Sequence, residues 1–127
     1  MIVGVGIDLV EIARLERMLA GKGTRALRRL FTEAEVAYAT GRACPAMHLA
    51  ARVAAKEAAF KALAGSEAAR AIGWREVEVQ SSPGAPPALS LHGRAAARAA
   101  ELGVARILVS LSHTDVTAGA VVVLETP

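Results

Sequence analysis

The sequence predicts an α+β fold, a mainly antiparallel sheet packed against helices. Two observations carry this. Apolar residues alternate with period two at the N-terminus and again, in a cluster, over the last third of the chain. The stretch between reads mostly as helix, whereas an alternating βαβ chain would spread its strands evenly. A length of 127 residues suits a single domain, residues 1–127.

The opening "MIVGVGIDLV" alternates: Val3, Val5, Ile7 and Leu9 form one face, expected to be core. Ile2, Gly4, Gly6 and Asp8 form the other, which is nearly bare. From Glu11 the period lengthens. Ile12, Leu15 and Leu19 make a helical stripe with Arg14 and Arg17 outside it, and Gly21–Gly23 ends the helix. In "FTEAEVAYA" Thr32 and Glu35 have capping-box spacing, so a helix starts there. Past "GRACP" a long helix runs over roughly 48–63 and stops near Gly65. "WREVEVQSS" alternates Val77 and Val79 with Glu76 and Glu78, a strand with one wet face. "PGAPP" is a rigid turn before the short strand "ALSLHG". "RAAARAAEL" is a helix closed by Gly103, and "RILVSLSH" and "TAGAVVVLE" are strands around "SHTD". Three helices are thus expected between the first strand and the first strand pair.

Apolar residues make up 54% of the chain but only four residues are aromatic, so the core is aliphatic. The net charge of +3 suits an acidic protein or a phosphorylated small molecule. The cations are spread out and no stacking aromatics are interleaved, which argues against nucleic acid. One cysteine, Cys44, fits a reducing cytoplasm. The N-terminal apolar run lacks a basic leader and is broken by Asp8, and no run reaches membrane-spanning length.

The helix "ARVAAKEAAFKAL" carries the chemistry. Leu49, Val53, Phe60 and Leu63 share an apolar stripe, with Lys56 inside it and Glu57 and Lys61 along its edge. Arg52 lies one turn before Lys56. Taken alone, Glu57 and Lys61 read as a surface pair worth a few tenths of a kcal/mol, with Lys56 snorkelling. Asp8 supports a second reading. An acid on a glycine-flanked face is costly to bury unpaired. Asp8 and Glu57 could together hold a hard cation such as Mg2+, which takes one or two carboxylates plus water and substrate phosphates. Arg52, Lys56 and Lys61 would face those phosphates.

"GIDLVEI", "FTEAE" with Tyr38, "RVAAKEAAFKAL" and "SLSH" before an apolar strand resemble, in order and spacing, the holo-acyl-carrier-protein synthases. These belong to the 4′-phosphopantetheinyl transferase superfamily. The resemblance covers most of the chain. It implies transfer of phosphopantetheine from coenzyme A to a serine of apo-acyl carrier protein, with Mg2+ as cofactor and adenosine 3′,5′-bisphosphate as product. It also implies a homotrimer with active sites at subunit interfaces. Carried onto this sequence, it makes Asp8 and Glu57 the metal ligands and Lys61 the cation at the pyrophosphate. Arg52 and Lys56 fall near coenzyme A phosphates, and Gly84 and Pro86 near the adenine. Ser112 and His113 approach the nucleotide from a neighbouring subunit, and Arg14 faces the acidic carrier protein. Two departures are Val53, where an aromatic is usual, and Thr114, where an acid is usual after the histidine; Asp115 could substitute for that acid.

Phosphoryl transfer needs positioning and charge neutralisation more than covalent help. Three bases are open for the serine proton: Glu57, a water on the metal, or His113. Glu35 is read as completing its helix cap, with a water-mediated metal role as the alternative. Arg14 and Arg17 form either a solvated basic face or a docking surface for the carrier protein. The rival functions are a non-catalytic trimer binding an acidic protein and another Mg2+-dependent enzyme acting on a pyrophosphate; the chain has no "GxxxxGK[ST]" loop.

Overall fold

The structure, a computed structural model, describes residues 1–21 and 24–127. Strand β1 (Ile2–Glu11) leads directly into α1 (Ile12–Ala20), followed by α2 (Thr24–Leu30), α3 (Glu33–Thr40) and α4 (Pro45–Leu63). After α5 (Glu67–Arg70) and a 3-10 turn at Trp74–Glu76 come β2 (Val77–Gln80) and β3 (Ala88–Leu91). The chain closes with α6 (Gly93–Glu101), β4 (Arg106–His113) and β5 (Thr117–Glu125). The sheets are antiparallel, β1-β5-β4 and β2-β3, as the α+β reading expects.

Among the described residues five helices, not three, lie between β1 and β2. The two extra ones, α2 and α5, have seven and four residues, too short to show a period. The predicted stop of α1 holds at Gly21, whose N–H bonds to the Arg17 carbonyl; Lys22 and Gly23 lie outside the described residues. Thr32 and Glu35 form the predicted capping box: Glu35 N–H donates to Thr32 Oγ1 (3.3 Å) and Thr32 N–H to Glu35 Oε1 (2.8 Å). The long helix begins at Pro45, earlier than predicted, because proline is well suited to a first helical turn.

Helix α4 is the centre of the fold. Thirteen of its nineteen residues are buried, so it lacks the exposed face of an ordinary surface helix. Its alanines allow this, since a short side chain lets strands and helices approach from several directions.

From Gly4 onward the two faces of β1 are the reverse of expectation; before the register shift between Ile2 and Gly4, Val3 packs on the core as predicted. Gly4 and Gly6 point inward, and Val5, Ile7 and Leu9 are 57%, 63% and 70% exposed. A Cβ at Gly6 would lie 1.8 Å from the Ala58 carbonyl oxygen, and one at Gly4 2.3 Å from that of Ala62. The bare face thus receives the helix backbone, and Asp8 is carried inward with it. Ala118, Ala120, Val122 and Leu124 of β5 complete the floor beneath α4. At the β4–β5 turn Thr114 Oγ1 accepts N–H bonds from Val116 (3.2 Å) and Thr117 (3.0 Å).

Candidate active site

The close contact of β1 with α4 joins two carboxyls far apart in sequence. Asp8 and Glu57 lie within hydrogen-bonding reach of each other. Lys61 Nζ donates to Asp8 Oδ1 (3.1 Å) and to the Ile7 carbonyl (2.9 Å). Arg14 Nη1 from α1 stands 3.8 Å from Glu57 Oε1. The surface pair Glu57–Lys61 suggested by helical spacing is therefore replaced by Lys61–Asp8 and Arg14–Glu57. Asp8 Oδ2 is buried and has no partner.

Burial, then the shared hydrogen bond and the negative charge of Asp8, push the Glu57 carboxyl up to about 7 against the pull of Arg14 and Lys61. Burial also opposes ionisation of Asp8, but hydrogen bonds with Glu57 and Lys61 outweigh it and hold Asp8 below its ordinary value. Two carboxyls held this close oppose each other's ionisation. An orphaned carboxylate oxygen beside a second carboxyl suits a hard divalent cation. No cluster of three or more His, Cys, Asp or Glu ligands occurs among the described residues. A cation here would take the rest of its shell from water or substrate, which fits the coordination habit of Mg2+.

A second group of predicted residues, Arg52, Pro86, Ser112 and His113, lines a cavity of about 380 Å³ to which Ser81 also contributes. Arg52 is only 2% exposed. Its Nη2 donates to Ser81 Oγ (2.8 Å) and its Nη1 to the His48 carbonyl (3.1 Å), and its guanidinium lies over the Tyr38 ring at 4.3 Å. Its Nε is buried with no partner. Arg42 covers the same ring at 4.3 Å. Burial, followed by the charges of Arg52, Arg42 and His113, holds His48 below its ordinary value. The cavity is thus electropositive. Pro86 lies in its wall, but Gly84 does not; with φ +74° it forms the exposed turn beside it. Sequence spacing gave no sign of His48 or Ser81, which reach the cavity only through tertiary packing.

The charged helix does not present one continuous wall. Arg52 and Glu57 are five residues apart, about 140° around the helix at 100° per residue. Arg52 and Lys56 face α3 and β2, while Glu57 and Lys61 face β1 and α1. Lys56 is corrected outright as a phosphate ligand. Its side chain is 0% exposed and its Nζ donates to Glu35 Oε1 (2.8 Å) and to the carbonyls of Trp74 (2.8 Å) and Val77 (2.5 Å). All three ammonium hydrogens are used inside the protein. Glu35 also accepts from Val79 N–H (2.9 Å), so its second role is to hold this lysine, which leaves its carboxylate committed away from any metal.

His113 is exposed, with Nδ1 3.3 Å from the Thr114 carbonyl. Among the described residues no hydrogen bond joins it to Asp8, Glu57, Lys61 or Asp115. Thr114, where an acid was expected, is occupied in the turn. Arg17 is exposed on α1, the helix that brings Arg14 to Glu57.

These features define a small α+β domain with a two-carboxylate centre and a separate electropositive cavity. The model of the 4′-phosphopantetheinyl transferase superfamily matches residues 4–121, and the chain belongs to that superfamily. It is similar to the holo-[acyl-carrier-protein] synthase of Thermus thermophilus, 54% identical over 125 residues and covering 98% of this chain and 94% of that one. The crystal structure of the Neisseria meningitidis holo-[acyl-carrier-protein] synthase superposes with a TM-score of 0.84 at 28% identity, covering 99% of this chain and 100% of that one. The Bacillus anthracis synthase in complex with coenzyme A (3′,5′-ADP) superposes with a TM-score of 0.78 at 32% identity, covering 100% and 99%.

Proposed function

We propose that the chain transfers 4′-phosphopantetheine from coenzyme A to a serine of apo-acyl carrier protein and releases adenosine 3′,5′-bisphosphate. The observation that carries this is the Asp8–Glu57 pair, with its orphaned oxygen and Lys61 beside it. The family and the similar synthases supply the chemistry for which such a pair is built. Asp8 and Glu57 would hold Mg2+, which when bound polarises the pyrophosphate. Lys61 offsets the charge developing on the leaving phosphate. Arg52, with a free buried Nε, binds the nucleotide's phosphate in the electropositive cavity, and Pro86 packs on its base. Glu57 serves first as a ligand, since a carboxylate engaged with a cation is a weak base.

The divergence of Arg52 from Glu57 supports a site assembled from two copies. Val5, Ile7 and Leu9 leave an apolar sheet face uncovered, and Ser112 sits on it, opposite Gly119, which pairs in turn with Leu9. A second copy laid there sets Ser112 and His113 of one subunit against the carboxylates of the other. This supports a homotrimer with interfacial sites. A cytoplasmic location agrees with the single free thiol; no helix among the described residues is long and apolar enough to cross a membrane. The acidic carrier protein docks on α1, where Arg14 adjoins Glu57 and Arg17 is exposed.

The test is a transfer assay by intact mass with the chain, Mg2+, coenzyme A and an apo-carrier protein. The parent adds one phosphopantetheine, while Asp8→Ala and Glu57→Ala fold but lose about 10²-fold or more. A folded parent that leaves the carrier unmodified overturns the assignment.

A further inference from the structure

Each carboxyl of the Asp8–Glu57 pair is accompanied by one cation, and the two cations are held differently. Lys61 Nζ makes two hydrogen bonds, to Asp8 Oδ1 and to the Ile7 carbonyl. Arg14 makes none among the described residues. Its Nη1 stands 3.8 Å from Glu57 Oε1, beyond hydrogen-bond distance, and its side chain is 48% exposed. It comes from α1, where Arg17 is exposed as well. Lys61 is thus tethered inside the site, whereas Arg14 reaches it from the surface through charge.

That charge opposes a bound cation, because like charges this close repel appreciably at a partly exposed site. Arg14 also keeps a proton off Glu57. A divalent ion at the same place is repelled about twice as strongly as a proton, so the balance is unfavourable to the ion.

We propose that Arg14 is an exchangeable counter-ion that couples docking of the acidic carrier protein to cation binding at the Asp8–Glu57 pair. The proposal rests on the transfer reading above. A carboxylate of the docked carrier pairs with the Arg14 guanidinium at hydrogen-bond range and draws it from Glu57. The two carboxyls then hold a divalent ion more tightly. By reciprocity the ion tightens carrier binding by the same factor. The acid pair is therefore fully available to its ion only when the acceptor protein is in place.

The test uses the intact chain with Mn2+, a hard ion with the oxygen preference of Mg2+, and follows free Mn2+ by its EPR signal. Saturating apo-carrier protein, after subtraction of the carrier's own Mn2+ binding, should tighten Mn2+ binding to the parent about fivefold. Arg14→Gln alone should bind Mn2+ about as tightly as the carrier-bound parent, and saturating carrier should add less than about twofold. No ion pair joins Arg17 to Glu57 among the described residues, so Arg17→Gln should weaken carrier binding yet keep the parent's response to it. Mn2+ bound equally well by folded Asp8→Ala overturns the coupling. So does a folded Arg14→Gln that binds Mn2+ as weakly as the parent or keeps the full carrier response. A parent that transfers phosphopantetheine, yet binds Mn2+ equally with and without carrier, overturns the coupling alone. A parent that transfers nothing from coenzyme A overturns the functional reading itself.

Discussion

Replacing Lys56 with methionine separates a structural lysine from a phosphate ligand. The ammonium is wholly buried and bonded to Glu35 and two backbone carbonyls. Burial holds its pKa below that of an ordinary lysine, and the Glu35 charge acts against that loss. Methionine matches the lysine stem out to Cε but leaves the Glu35 carboxylate without its cation. Breaking a buried pair in this way costs about 3–5 kcal/mol. Unfolding entropy of about 2.1 cal/mol/K per residue over 127 residues gives about 0.27 kcal/mol/K. The melting temperature should therefore fall by about 10–20 °C, by scanning calorimetry at fixed protein concentration. Adding Glu35→Gln removes the stranded charge and should recover about 1–2 kcal/mol. Assayed well below its melting temperature, the single variant should keep the parent's coenzyme A KM. The reasoning is refuted if Lys56→Met melts within about 2 °C of the parent while that KM rises about tenfold.

Four further outcomes follow. Gly6→Ala places a Cβ against the Ala58 carbonyl, which is backbone and cannot turn aside; a loss of about 3 kcal/mol or more is expected in urea unfolding. Gly84→Ala, where nothing lies within 4 Å and φ is +74°, should lose only about 1–2 kcal/mol. Glu57, raised from 4.5 to about 7, binds more protons folded than unfolded, so its stabilising contribution is present below 4.5 and lost as pH rises through about 7. In chelator, the parent's stability should drop from pH 5 to pH 8 relative to that of Glu57→Gln, by denaturant titration. A parallel response in the two proteins would contradict the shift. Ile7→Lys charges the uncovered sheet face and should shift the sedimentation coefficient from that of the proposed trimer to that of a monomer, with loss of transfer; a variant that sediments as the parent does would place the interface elsewhere.

Much of the site could be read before any coordinates. Asp8 stood out because an acid among glycines has no packing role, and Glu57 and Lys61 because one helical turn separates them. The strands, the α3 cap and the turn at "PGAPP" followed from period and turn chemistry, which are local. Lys56 was misjudged for a physical reason. Period places a side chain on a face of its own helix, but says nothing of what stands opposite. Glu35 and the Trp74 and Val77 carbonyls, which claim Lys56, come from segments distant in sequence.

By itself, then, the sequence determined the fold class, the alternation of β1, the acid pair and the presence of cations near it, because these depend on residue type and spacing along the chain. Only the tertiary structure decided which face of β1 is inside. Alternation is symmetric, and the choice fell to the contact between bare glycine backbone and the α4 carbonyls, closer than any Cβ permits. That same contact brings Asp8 to Glu57, points Arg52 the opposite way, and leaves the aliphatic side of the strand uncovered.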